Sequence, residues 1–250
     1  MEIIRYAELK AHPWRNGGGV TRELASHPAA APARAAPAPD GTAQDGTAAG
    51  WDWRVSIAEV SKAGDFSAYP GMDRVLTVVE GELLLLSVDG AEHPLEKYRP
   101  FRFSGDAAAS GALPTGDIRD LNVITRQGLF KGYTSIIELS KKRAHPVFEG
   151  QLGILLQGQA AVTPGTAGAG PGAPSAGEPA VEPSGGPPGG PSGGPSGGPT
   201  GEPAAGSPGA QAAEPTMLAR YDAVVGSDTD TPEILGRGFL AVVSIDRVAD

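Results

Sequence analysis

The chain has 250 residues, a formal net charge of −9 and no cysteine. Its acidity argues against a sequence-independent grip on nucleic acid, which needs a basic surface, and weakly against anionic membranes. Without cysteine there is no disulfide, no thiolate chemistry and no sulfur-ligated zinc or iron–sulfur centre.

The N-terminus, MEIIRYAELK, lacks the apolar core of a signal peptide, and no run approaches the length of a membrane span. The expectation is a cytoplasmic protein. Ile3 to Leu9 is expected as a first strand, with one helical turn at most over Ala7 to His12. Pro13 to Gly19 follows as a glycine turn, then Val20 to Leu24 as a strand. Three consecutive glycines are not a dinucleotide fingerprint, which needs spaced glycines between a strand and a helix. The turn either packs closely or lets a ligand approach beside Arg15 and Asn16.

Pro28 to Gly50 is of low complexity: ten of its 23 residues are Ala and four are Pro. It cannot bury enough apolar surface to offset ordering, so it reads as a disordered insert at the tip of a lengthened hairpin.

Trp51 to Gly90 is the centre of the pattern. Trp53, Val55 and Ile57 alternate with Arg54, Ser56 and Ala58, the period of a half-buried strand. Asp65 to Tyr69 is expected as a short strand, and Pro70-Gly71 as a turn. Val75 to Val79 and Leu83 to Val88, separated by Glu80-Gly81, read as a tight hairpin. His93 to Tyr98, Phe101 to Phe103 and Asp120 to Thr125 continue the β pattern. Tyr133 to Leu139 opens a second β-rich half, and Gln151 to Val162 reads as a hairpin.

Pro164 to Pro215 is the second insert, with 16 Gly and 13 Pro among 52 residues. A Gly-Gly-Pro-Ser unit recurs, and its period of four excludes a collagen helix. It reads as a disordered, flexible spacer or as a docking segment. Strands resume over Met217 to Val225 and Phe239 to Val248. What lies outside both inserts suffices for two small barrels or one broad sandwich.

The chemistry available is narrow. His12, His27, His93 and His145 show no metal-ligand spacing and read as exposed loop residues; no metal and no cofactor is expected. No Gly-x-Ser-x-Gly is present, and no catalytic residue is assigned. Asp73 and Asp120 are carboxylates available for acid–base work. What remains is arginine and asparagine on strands or glycine turns: Arg15, Asn16, Arg54, Arg74 and Asn122. A buried unpaired charge costs several kcal/mol, by order of magnitude. Either internal ion pairs satisfy these arginines, Arg54 with Glu59 or Asp120 for example, or a ligand carboxylate does so in a bidentate fork.

Five stretches resemble the HutD/Ves family: P-W-R-N-G-G-G-V-T-R-E-L at 13–24, W-x-W-R-V-S-x-A at 51–58, G-x-F-S-x-Y-P-G-x-D-R at 64–74, R-P-F-R-F-S-G-D at 99–106 and D-L-N-V-I at 120–124. The resemblance implies an all-β bicupin, two cupin-type barrels in one chain, here over 1–127 and 128–250. It implies a protein associated with histidine utilisation that lacks the cupin metal signature and is regulatory, with N-formyl-L-glutamate as a proposed ligand. The family's polar motif residues correspond to Arg15, Asn16, Arg54, Ser56, Asp73, Arg74, Asp120 and Asn122, which become the expected ligand-binding set. The partner expected is a small acidic metabolite, with no nucleic acid and no membrane; the fold suggests a homodimer. The competing readings are a cofactor-independent isomerase or amide hydrolase with Asp73 or Asp120 as base, and an interaction protein docking through its Gly/Pro segment.

Overall fold

The computed structural model describes residues 1–29, 50–165 and 214–249. Among them there is no α-helix, only one 3-10 turn at Tyr6–Glu8. No helix is long and apolar enough to cross a membrane. The low-complexity expectations for 30–49 and 166–213 lie outside the described residues.

Three sheets form. A six-stranded sheet orders His12–Pro13, Gly19–Pro28, Trp51–Val60, Ile118–Arg126, Met72–Glu80 and Phe101–Ser104. A four-stranded sheet orders Gly64–Asp65, Ala109–Ala112, Leu83–Val88 and Ala91–Glu96. A seven-stranded sheet is built around Gln151–Thr163 and Glu233–Arg247.

Side-chain alternation decides how these sheets pack. On the central strands of the six-stranded sheet, Val55, Ile57, Val75, Val79, Leu121 and Val123 point one way. They pack on Leu152, Ile154, Ala241 and Val243 of the seven-stranded sheet. Residues of the opposite parity, Ala58, Val60, Leu76, Val78 and Ile118, point the other way. They meet Leu84, Leu86, Leu95 and Ala109 of the four-stranded sheet. The six-stranded sheet is therefore buried on both faces, which explains its near-continuous apolar runs. The seven-stranded sheet has a core of its own, including Val147, Leu155, Val162, Ile234 and Leu240. Among the described residues none of the three sheets closes on itself into a barrel.

Several expectations shift. The tight hairpin at Glu80-Gly81 is not formed: Met72–Glu80 and Leu83–Val88 lie in different sheets. The short connection is a corner, and Gly81, at φ +84, makes it because a Cβ there would press on the Asp117 carbonyl at 2.8 Å. Asp65 to Tyr69 is mostly loop, with only Gly64–Asp65 paired. Gln151 to Val162 is one long strand, not a hairpin; Gly158, at φ +100, sits beside a register shift between Leu155 and Gln157. Glu2–Ile4 pairs with Ala223–Val225, so the first strand belongs to the sheet of the second half, not to the expected 1–127 barrel. The strands flanking the first insert do pair, His27 with Trp53 and Pro28 with Trp51. Those flanking the second also pair, Val162 with Thr216.

Candidate functional site

The inward face of the six-stranded sheet is apolar at one end and polar at the other. Register places the polar residues in rows. Ile124 stands opposite Arg54 on one neighbouring strand and Arg74 on the other; Asn122 stands opposite Ser56 and Leu76; Asp120 stands opposite Ala58 and Val78. The two arginines thus flank a single strand, with backbones about 10 Å apart, twice the usual strand spacing. They point to the same face, because both occupy the parity that faces inward.

Both guanidinium groups converge on Tyr69, whose loop (66–71) crosses this end. Arg54 donates from Nη2 to the Tyr69 hydroxyl at 3.0 Å and lies 5.0 Å from the Trp51 ring. Arg74 lies 5.3 Å from Tyr69, 4.9 Å from Phe103 and 5.5 Å from Phe66. It donates from Nη1 to the Ser67 carbonyl at 3.3 Å and from Nη2 to Asn122 Oδ1 at 2.9 Å. Asn122 in turn donates from its amide nitrogen to Asp120 Oδ1.

Arg74 is 3% exposed and Asp120 0%. Among the described residues neither Arg54 nor Arg74 has an ion-pair partner within 4.0 Å. Their buried Nε atoms, and Asp120 Oδ2, have no hydrogen-bond partner. Burial lowers the pKa of Arg74; Tyr69 and Asp120 oppose that shift and Arg54 adds to it. Burial raises the Asp120 carboxyl to about 7, with Arg74 acting against it. Aromatic rings stabilise the cations through their faces but supply no negative charge. The internal pairs considered from sequence do not form: Glu59 pairs with Arg22 and Arg119, and Asp73 with Arg102.

Of the eight expected residues, five share the site: Arg54, Ser56, Arg74, Asp120 and Asn122. Asp73 does not, because it neighbours Arg74 in the same strand and so faces the other way. There it lies 3.7 Å from Arg102 and accepts from Gln127 at 3.1 Å. Arg15 and Asn16 are exposed on the glycine turn. Asn16 Oδ1 accepts from the Gly18 amide at 2.9 Å, so its side chain shapes the turn. Gly19 favours the close-packing reading, since a Cβ would approach the Glu59 carbonyl to 2.5 Å. The aromatic residues Trp51, Phe66, Tyr69 and Phe103 were not among the expected set. Their signal was present, since Tyr69 and Phe66 lie inside the motif that ends in Arg74.

The histidines are on strands, not loops, and of the four only His12 is exposed. His12 and His145 each begin a two-residue His-Pro strand at a sheet margin, where proline's missing donor is tolerated. His27 lies between Trp53 and Phe130, and His93 lies against Phe101. Among the described residues no three His, Cys, Asp or Glu side chains are grouped to hold a metal ion.

The fold and this face define an all-β, cupin-like protein with a cationic, aromatic-lined face on its six-stranded sheet. The HutD family model matches residues 6–175, and the chain belongs to the HutD family. Protein Ves of Citrobacter koseri is 32% identical over 140 residues, which cover 55% of this chain and 64% of that protein. The match therefore spans less than two thirds of that relative's length. HutD from Pseudomonas fluorescens SBW25, determined in a formate condition, superposes with a TM-score of 0.59 at 21% identity, covering 99% of both chains. A conserved protein of unknown function from Pseudomonas aeruginosa PAO1 does so at 0.63 and 22% identity, again over 99% of both. These two likenesses establish the fold alone.

Proposed function

We propose that the chain binds a small dicarboxylate, without a metal, in its first half, and that it serves a regulatory role in histidine utilisation. The observation that carries this reading is the convergence of Arg54 and Arg74 on Tyr69 with no carboxylate partner for either. Two like charges in a partly desolvated space repel, and an anion between them relieves that repulsion while satisfying the forks. Membership of the HutD family supports the link to histidine utilisation, and two guanidinium forks suit a carboxylate ligand. N-formyl-L-glutamate is the candidate, since its two carboxylates match two guanidinium groups.

Replacing Arg54 with Ala tests the site. Arg54 is only partly buried, so the variant is expected to fold. Loss of a charged hydrogen bond, about 1.5–3 kcal/mol, weakens binding roughly tenfold to a hundredfold. Unchanged affinity by titration calorimetry contradicts the site. A second reading rests on Asp120, whose carboxyl near 7 suits a general base in a cofactor-independent isomerase or amide hydrolase. Turnover of N-formyl-L-glutamate by the pure protein, lost in Asp120→Asn, supports it; no turnover across candidate amides removes it.

A further inference from the structure

We propose that Asp120 is a positioning residue that couples anion binding to uptake of one proton: it orients Asn122 toward Arg74, and its ionised form competes with the bound anion for Arg74. The proposal rests on the anion site described above and adds the control of that site.

The geometry supplies the argument. Arginine has donors only, so the Asn122 atom facing Arg74 must be the amide oxygen. The amide nitrogen then faces Asp120, which must accept, and its Oδ1 does. The chain Asp120–Asn122–Arg74 has therefore one consistent sense. Oδ1 is occupied and Oδ2 is buried without a partner, so Oδ2 is the oxygen available to a proton. Protonation there leaves Oδ1 accepting, keeps Asn122 in place and removes the only negative charge facing Arg74 within the row. The desolvation that raises this carboxyl acts in the same direction.

The other ionisable groups on the inward face are these. Arg54 and Arg74 come from the adjacent strands and Tyr69 from the crossing loop, and all three favour an anion; Asp52 and Arg126 share the same parity at the far end of the rows, where they pair with each other at 2.6 Å. The four-stranded sheet opposite contributes Leu84, Leu86 and Ala109, with His93 at its margin against Phe101, not Asp120. Linkage is reciprocal: if protonation of Asp120 strengthens anion binding, the bound anion raises the affinity of Asp120 for its proton by the same factor.

The test is calorimetric titration of N-formyl-L-glutamate into the full-length protein from about pH 6 to about pH 8.5. It is run in pairs of buffers with different ionisation enthalpies, which reads protons taken up per anion. The wild type is expected to lose affinity by about tenfold per pH unit on the alkaline side of the Asp120 titration and to take up close to one proton there. Asp120→Asn keeps Oδ1 as acceptor; it is expected to bind with the affinity of the acidic wild type, with no pH slope and no uptake. A variant that keeps the wild-type slope, or a wild type that takes up no proton, overturns the role of Asp120 and leaves the anion site standing. A wild type that binds at no pH overturns the site and this inference together. If Asp120→Asn fails to fold, the proton count on the wild type, with carboxyl NMR of Asp120 in the free and bound protein, decides.

Discussion

At the scale of single residues, alternation along a strand separates neighbours that composition treats alike. Asp73 and Arg74 are adjacent, yet one accepts from Gln127 on the face that packs toward the seven-stranded sheet and the other is sealed beneath Tyr69. Asp73→Ala is therefore expected to leave anion affinity unchanged, while Arg54→Ala loses most of it; equal losses in both variants contradict the assignment of faces. Asp120 also sets a stability prediction. A carboxyl in an unfolded chain ionises near about 4, while that of folded Asp120 ionises near 7. Between those values the folded state holds the extra proton, so its contribution is full below the unfolded pKa and is lost as pH rises through the folded one. Asp120→Asn removes this loss. Its stability relative to wild type should rise across that window, by up to about 4 kcal/mol at 1.36 kcal/mol per pH unit. Denaturant unfolding at several pH values measures it, and a constant difference contradicts it. That Arg54, Ser56, Arg74, Asp120 and Asn122 share one face was legible in the sequence, since they stand out as polar positions of matching parity in apolar strands. The failure of internal pairing was not legible. It depends on Glu59 being drawn to Arg22 and Arg119 on the opposite face, a matter of register across three strands.

At the scale of elements, the strands that read well were those with a strict period. Trp51–Val60 and Ile118–Arg126 contain their expected cores. The errors came where a glycine has more than one use. Glu80-Gly81 was read as a hairpin because two apolar runs flank it, but each run prefers a different partner: Met72–Glu80 pairs with Ile118–Arg126, and Leu83–Val88 with Ala91–Glu96. Gln151 to Val162 was expected as a hairpin and is instead part of one continuous strand, Gln151–Thr163. The element that encloses the site, the loop over 66–71, is held by glycine as well. Tyr69 donates its amide to the Gly105 carbonyl at 2.8 Å, and a Cβ on Gly105 would collide with the Tyr69 carbonyl. Gly105→Ala is expected to displace that loop, lowering stability and loosening the contact of Tyr69 with Arg54. A drop in anion affinity accompanied by greater exposure of Tyr69 in hydrogen exchange supports this. Wild-type affinity in that variant contradicts the loop's part in the site.

At the scale of the molecule, the two convergent arginines belong to the six-stranded sheet. The seven-stranded sheet has an aliphatic cluster of Leu155, Val162, Ile234 and Leu240, and the buried Asp222 beside it is paired with Arg5 at 2.6 Å. Glu80 links the two sheets: it pairs with Arg119 at 2.7 Å and accepts from the Tyr221 hydroxyl at 2.8 Å. Both low-complexity stretches leave the sheets where antiparallel strands are already paired, at Pro28 with Trp51 and at Val162 with Thr216. Their removal should leave the core intact. Replacing 166–213 by a short turn reduces the loop about eightfold, three halvings worth roughly 2 kcal/mol of closure entropy in total. The melting temperature should then hold or rise by a few degrees, at about 2–4 °C per kcal/mol for a chain of this size. A large fall would show that the segment contributes to the fold.

The most direct test of the central claim is thermal unfolding with N-formyl-L-glutamate, glutamate, histidine and urocanate, each with and without a chelator. An anion at 100 times its dissociation constant stabilises by about 2.7 kcal/mol, a rise of roughly 5–11 °C. The account predicts such a rise with the dicarboxylate, unchanged by chelator and cut to about half or less in Arg54→Ala. A rise that chelator abolishes, or one that Arg54→Ala retains in full, would contradict a metal-free arginine site in the first half.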